Sequence, residues 1–218
     1  MTPITGMDLT GFIEREPGVW TDERGLVLSV HFFPQVPDLP APLHEPERLR
    51  QGIAQGVGGR GGGLIEAVFG TVDEVPAVRQ LIKVPRPGGQ GQVFLGSWTV
   101  PKATCSTVLK VQAAEGATTG VREAMVMAQV GPAEYFRPHP YAPGLRDGLP
   151  CHVADDEGWD PHFPDHPLTL VRATLNRIAP SITLDERFKV LPPFGTPTPP
   201  AAQPPATGRG RLRRRKDG

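Results

Sequence analysis

The chain has 218 residues, and its 23 basic and 23 acidic side chains give a formal net charge of zero. Its 26 glycines and 27 prolines are about twice the usual share of these two residue types. There is no run of 18 apolar residues. This composition excludes a coiled coil, a helical bundle and a membrane protein, and it favours short strands, many turns and disordered ends.

The two cysteines, Cys105 and Cys151, bear on the compartment in which the protein works. A disulfide framework in so loop-rich a chain would need more of them. The N-terminal stretch lacks the basic and apolar regions of a signal peptide. We therefore expect a cytoplasmic protein with two reduced thiols, and a single disulfide stays open as the alternative.

The N-terminal part of the chain predicts a hairpin. Residues 1–17 are predicted to be a loosely held lead-in. Residues 26–33 alternate as a strand does, with one wholly apolar face and one mixed face. Residues 18–21 supply a partner strand, and Gly25 provides the positive φ that the turn between them needs.

A proline-rich loop and a helix follow the hairpin. Five prolines in 34–46 predict an extended loop. Pro46 suits a first helical turn. The apolar face of this helix would consist of Leu49, Ile53 and Val57. We expect the glycines of 56–63 to end the helix.

The middle of the chain contains four strand-like runs joined by short, turn-rich links. These runs are 64–72, 75–84, 92–100 and 106–113. Consecutive strands with short links are antiparallel neighbours. The sequence therefore predicts an antiparallel sheet.

The C-terminal half predicts two helices separated by a long loop. The first helix runs from Thr119 to Val130 and would bury Val121, Met125 and Ala128. Residues 131–164 form an irregular loop, and a loop of such length is usually functional or disordered. The second helix starts at Asp165, as its cap, and its core positions would be Leu168, Val171, Leu175 and Ile178. A short strand at 181–184 follows.

Together these elements predict an α+β fold, a twisted antiparallel sheet with helices packed against it. The predicted organisation is a lead-in segment at 1–17, one α+β domain at 18–190, and a disordered proline-rich linker with a basic tail at 191–218. The tail carries +5 of charge, so residues 1–207 carry −5. Its candidate polyanion-binding residues are Arg209, Arg211, Arg213, Arg214, Arg215 and Lys216.

The acidic and histidine residues of 155–166 are the densest group of candidate metal ligands. They are Asp155, Asp156, Asp160, His162 and His166. Carboxylates and imidazoles can hold a divalent ion, but the spacing fits no metal motif, and capping and loop-anchoring roles explain the same residues. No metal or other cofactor is expected.

Two further motifs argue weakly for catalysis or nucleotide binding. Residues 56–61 match G-x-G-x-x-G, but they follow a helix and precede a strand, which is the reverse of the order that phosphate binding needs. Cys151 and His152 are adjacent in sequence, so their side chains point apart and make a poor nucleophile–base pair. Nucleotide binding by 56–61 and nucleophilic catalysis by Cys151 are therefore both disfavoured.

An apolar strand face offers a candidate binding surface. Phe94 and Trp98 fall on one face of the strand 92–100, and Phe33 lies on the mixed face of its own strand. The candidate partner-binding residues are therefore Phe33, Phe94 and Trp98.

The chain resembles a known sandwich fold over about residues 18–185. The segments that carry the resemblance are GVWTDERGLVLSVHFFP, VPAVRQLIKVP, VFLGSWTVP and TGVREAMV. They are similar to the α/β sandwich of PsbP-like and Mog-like proteins and of DcrB-type bacterial domains. The 131–164 loop departs from these families, and no functional residue carries over. The resemblance implies a non-catalytic bacterial binding protein, assembly factor or chaperone; the similar Eag-type chaperones shield a client's hydrophobic segment in an apolar groove.

The sequence is compatible with three functions. The favoured one is a non-catalytic cytoplasmic protein-binding module of chaperone, immunity or assembly-factor type, which holds a client segment on an apolar sheet face. The second is a metal-assisted hydrolase using the 155–166 loop, so catalysis is disfavoured but left open. The third is an electrostatic adaptor acting through the basic tail.

Overall fold

The computed structural model describes residues 2–195, and its central feature is a seven-stranded antiparallel sheet. The strands of this range are β1 (Ile4–Gly6), β2 (Ile13–Glu16), β3 (Val19–Thr21), β4 (Val27–Phe33), β5 (Gly63–Val72), β6 (Val75–Pro85), β7 (Gln92–Pro101), β8 (Ser106–Ala114), β9 (Phe136–Arg137), β10 (Cys151–His152) and β11 (Thr183–Leu184). The helices are α1 (Pro46–Gly58), α2 (Val121–Val130), α3 (Pro132–Tyr135), α4 (Pro167–Ile178) and α5 (Glu186–Lys189). The predicted α+β class is confirmed.

The sheet has the order β2-β3-β4-β8-β7-β6-β5. The four predicted middle strands, β5 to β8, are present with bounds within one residue of the prediction. A two-residue turn joins β5 to β6, and its residues, Asp73 and Glu74, have φ of 47° and 67°. Such mirror-image turns match the twist of a hairpin. The predicted hairpin of β3 and β4 is also present, with Gly25 at φ 84°.

One face of the sheet is covered by α4, and we call it the α4 face. It carries Phe94, Leu109 and Val111, which are buried together with Val171 and Leu175 of the helix. Gly96 lets the helix approach closely, because a Cβ there would overlap Leu175 and lie 2.7 Å from Val171 Cγ1. The core positions predicted for this helix are all buried.

The opposite face is covered mainly at one edge. The predicted helix α1 is present, and its Leu49 and Ile53 pack on Leu64, Ala67 and Val78 of β5 and β6. The side chains that β4, β8 and β7 present on this face are largely half-buried or exposed. We call this part of the sheet the open face. Its residues include His31, Phe33, Leu95, Ser97, Thr99, Val108 and Lys110.

Several local expectations differ from the structure. Residues 4–16, expected in the lead-in, form β1, which pairs with β11, and β2, which pairs with β3. Helix α1, by contrast, ends at Gly58, within the predicted 56–63. Helix α4 is capped by His166 and not by Asp165.

Helix α2 buries a different face from the predicted one. Val121 and Met125 are exposed, whereas Arg122 and Val126 are buried. The reason is its packing partner: α2 lies against the segment that follows β10, and the Arg122 guanidinium bonds to that segment. The 131–164 segment contains short helices and the β9–β10 pair, so it is not irregular throughout.

No helix within residues 2–195 is long and apolar enough to cross a membrane. Residues 191–195 are held on the body by a bridge between Pro193 and Lys102. The rest of the predicted linker and tail lies outside the described residues.

Candidate functional site

The open face carries an exposed aromatic residue at the end of β4. Phe33 is 41% exposed, and its ring stacks on His31 with 6.1 Å between centroids. The Nε2 atom of His31 lies 2.9 Å from the Ser29 hydroxyl, and burial, with a smaller contribution from Lys110, lowers the pKa of this imidazole. The pair thus forms a neutral, largely apolar surface at neutral pH.

A groove runs beside Phe33, between the sheet and the proline-rich residues 34–43, which we call the strap. It encloses a cavity of about 250 Å³. Its walls are Phe33, Val36, Pro37 and Leu39 on one side and Gln80, Thr99 and Val108 of the sheet on the other. The strap starts directly after β4, and its prolines favour an extended backbone that holds this wall in place.

The structure does not bring the three predicted partner-binding residues onto one surface. Phe94 is fully buried, and Trp98 is half-buried beside the same core. Both lie on the α4 face, whereas Phe33 lies on the open face, because Phe33 pairs with Ser106 and Trp98 pairs with Leu109 of β8. Of the predicted set, only Phe33 is positioned to contact a partner without disturbing the core.

A buried ion pair lies where β6 meets the segment after β10. The Lys83 ammonium is 2.9 and 2.7 Å from the two carboxylate oxygens of Asp155 and 2.9 Å from Nε2 of His152. Lys83 is only 1% exposed. His152 is also buried, and burial lowers the pKa of its imidazole to about 4. The ring therefore stays neutral, with Nε2 accepting a hydrogen bond from the ammonium.

Two buried arginines hold the next turn of the same segment. Arg122 donates to the carbonyl oxygens of Ala154 (2.7 Å) and Asp156 (3.0 Å) and pairs with Asp160 at 2.9 Å. Arg172 donates to the other oxygen of Asp160 at 2.6 Å. Buried ions persist only when they are paired and hydrogen-bonded. These contacts are therefore structural anchors for residues 151–166.

The predicted metal ligands are separated by these pairs. Asp155 and Asp160 are committed to Lys83 and to the two arginines, as described above, and Asp156 pairs with Arg137 at 2.7 Å. His162 is exposed and lies against Trp159. His166 is the cap of α4. The five residues do not converge on one point, so the geometry does not favour a metal site made from them.

His166 belongs instead to a trio with Glu115 and Glu123. One ligand atom from each lies within 4.8 Å of the others. Nδ1 of His166 accepts a hydrogen bond from the backbone N–H of Leu168 at 3.2 Å, so the neutral ring carries its proton on Nε2. That nitrogen faces Glu115 Oε1 at 3.9 Å and cannot ligate a metal unless α4 loses its cap.

The carboxylates of this trio differ in their environments. Glu115 accepts hydrogen bonds from the backbone N–H groups of Gln92 (2.7 Å) and Gly120 (2.8 Å). Burial raises the pKa of Glu123. Burial also lowers the pKa of His166 to about 4. Burial thus disfavours the charged forms of both Glu123 and His166, whereas backbone N–H groups stabilise the Glu115 carboxylate.

Both cysteines are free thiols. Burial raises the pKa of Cys105 and of Cys151, which is the opposite of the activation that a thiolate nucleophile needs. His152 is occupied by Lys83, so it does not serve Cys151 as a base. The predicted polyanion-binding residues of the tail, Arg209 to Lys216, lie outside the described residues.

No protein-family model matches this chain, and no curated protein matches it either. The resemblance to PsbP-like, Mog-like and DcrB-type domains therefore stays a prediction.

Sequence reasoning missed the buried cations. Lys83 stands on the same face of β6 as the buried Leu81, but Arg79 shares that face and is only half-buried. The alternation therefore does not mark Lys83 as the buried cation. Arg122 stands at the start of α2, and no residue three or four positions from it is acidic. Its partner, Asp160, is 38 positions away, so only the fold brings them together.

Proposed function

We propose that this protein is a non-catalytic binding module that holds an apolar segment of a partner protein on the open face. The observation that carries the proposal is the groove beside Phe33, an exposed aromatic ring over a cavity of about 250 Å³. Mixed apolar and hydrogen-bonding walls of this kind suit an extended peptide, whose side chains need apolar contacts and whose backbone needs polar ones.

The buried charges support a non-catalytic body. Lys83, Arg122 and Arg172 are each buried and engaged by the protein's own oxygens, so they present no free group to a substrate. The raised pKa of both thiols argues in the same direction. A chaperone, an immunity protein and an assembly factor would all use such a surface, and we propose that this one works in the cytoplasm.

The neighbouring phenylalanines of β4 provide a matched test. Phe32 and Phe33 are 38% and 41% exposed, but successive strand residues point to opposite faces. The full-length protein, Phe33→Ser and Phe32→Ser would each be used in a native pull-down with quantitative mass spectrometry. Circular dichroism and thermal melting would establish that both variants fold.

We expect a near-stoichiometric partner on the wild type and on Phe32→Ser. Loss of one buried phenylalanine contact of about 2 kcal/mol weakens binding roughly 30-fold, so Phe33→Ser should lose that partner. Val108→Asp, on the groove floor, should lose it too. A partner that binds Phe33→Ser and Phe32→Ser equally well would show that the open face is not the binding surface.

A further inference from the structure

The described chain ends next to the strap. The backbone N–H of Ala103 donates to the Pro192 carbonyl at 2.9 Å, and Lys102 Nζ donates to the carbonyl oxygens of Lys189 and Leu191. Gly195 then packs on the strap so tightly that a Cβ at this position would lie 2.7 Å from Cβ of Pro42. The last described residue, Gly195, therefore lies beside one end of the groove wall.

The chain beyond this point is long enough to reach Phe33. Pro42 and Phe33 are nine residues apart, so the strap between them spans at most about 31 Å. A polyproline II segment of twelve residues, the number in 196–207, would span about 37 Å at about 3.1 Å per residue. The groove thus lies within reach of these twelve residues.

The composition of 196–207 matches the groove. Five of its twelve residues are proline, and none is charged. Proline-rich segments dock in grooves lined by aromatic and apolar side chains, because little conformational entropy is lost on binding. Phe33, Val36 and Leu39 provide the apolar contacts, and Gln80 and Thr99 provide hydrogen-bonding groups for a backbone.

Electrostatic attraction between the basic end of the chain and its acidic remainder also favours this contact. The residues after 207 carry six basic side chains and one acidic side chain, whereas residues 1–207 carry a net charge of −5. Asp38, an exposed residue of the strap, borders the groove. The acidic body attracts the basic end and raises its local concentration near the strap.

We propose that residues 196–207 occupy the groove of their own chain and must be displaced before a partner segment binds. This regulation rests on the proposed function, since it concerns the same surface. A tethered segment binds at an effective concentration in the millimolar range, so even a weak contact keeps the groove occupied.

Photo-crosslinking within the full-length protein tests the proposal without any partner. The photoreactive residue p-benzoylphenylalanine would replace Phe33 in one sample and Phe32 in the other, and mass spectrometry would locate the crosslinks. We expect position 33 to crosslink within the monomer to 196–207 at least tenfold more than position 32 does. Replacing Pro197, Pro199, Pro200, Pro204 and Pro205 by serine should abolish this difference.

Equal crosslinking from both positions, no crosslink to 196–207, or crosslinks only between two molecules would overturn the proposal. Its failure is distinct from failure of the proposed function. If Phe33→Ser loses a partner while position 33 gives no crosslink to the tail, binding on the open face stands and the regulation falls. If the crosslink forms and no partner is found, the groove serves its own chain and the proposed partner role falls.

Discussion

At the scale of single residues, the buried Lys83–Asp155 pair is one of the anchors of the 151–166 segment. Lys83→Met keeps the length of the stem but leaves the Asp155 carboxylate buried without its cation. Removing one partner of a buried pair costs about 3–5 kcal/mol. We expect a loss of this size in the free energy of unfolding, measured by urea denaturation with the m-value unchanged.

An exposed ion pair of the same region provides the control. Arg137 and Asp156 are 2.7 Å apart, but both side chains are about half exposed. Arg137→Met should therefore cost less than about 1 kcal/mol. The double variant Lys83→Met, Asp155→Leu should recover part of the loss, because it removes the stranded charge. Equal losses for Lys83→Met and Arg137→Met would show that burial of the pair is unimportant.

His152 and His166 make stability depend on pH. Burial lowers both imidazole pKa values from 6.5 to about 4, so in this window the unfolded chain binds protons that the folded chain does not. Stability is therefore complete above about pH 6.5 and is lost as the pH falls toward 4. The expected loss by pH 5 is roughly 2 kcal/mol for each histidine.

His166→Asn separates titration from capping. An asparagine side chain can still accept the hydrogen bond from the Leu168 N–H, so α4 keeps its cap. The loss of unfolding free energy between pH 7 and pH 5 should shrink by roughly 2 kcal/mol in this variant. An unaltered slope in His166→Asn would contradict the assignment.

At the scale of elements, the strands β5 to β8 were predictable because their signals are local. Alternation of side chains and glycine or proline at the turns define each hairpin without reference to distant residues. β1 and β2 were not predictable from the sequence, because each is short and β1 pairs with a strand about 180 positions away. The predicted buried face of α2 was wrong because Val126 packs on Tyr135 and Val153, and Arg122 pairs with Asp160. These partners lie outside the helix, so its own spacing does not reveal them.

The candidate site was predictable only in part, for a related reason. The shared face of Phe94 and Trp98 on β7 was inferred correctly from alternation. Which face α4 covers depends on packing that no local pattern reveals. Phe33 was placed on the mixed face of its own strand, but its position on the opposite side of the sheet from Trp98 follows from the register of β4 on β8.

The close contact of α4 with the sheet gives a prediction for Gly96. Gly96→Ala places a Cβ against Leu175 and Val171, and overpacking of this kind costs about 1–3 kcal/mol. Gly116→Ala is the control, since nothing lies within 4 Å of its Cβ position. Thermal melting should separate the two variants clearly. Similar melting temperatures would mean that α4 shifts outward without loss of packing.

At the scale of the whole molecule, the two sides of the sheet have different roles. The α4 face holds the main core and, at its edge, the buried cations that fasten residues 151–172. The open face carries the groove and contributes little to the main core. Substitutions at Phe33 should therefore weaken binding without unfolding the protein. Substitutions at the buried Phe94 should destabilise the fold itself.

The N-terminal segment pairs with residues 183–185, near the C-terminal end of the described chain. β1 pairs with β11, the Asp185 N–H donates to the Pro3 carbonyl at 2.8 Å, and Met7, Leu9 and Phe12 pack on the main core. Deleting residues 2–12 removes these contacts and that of Ile4, which together contribute at least about 4 kcal/mol. Denaturant unfolding of the shortened chain should reveal this loss, whereas Ile13→Ser, at a side chain 56% exposed, should change stability by less than about 0.5 kcal/mol. An unchanged stability after the deletion would mean that residues 2–12 are a loosely held lead-in, as their sequence suggests, and that the β1–β11 pair contributes nothing to the fold.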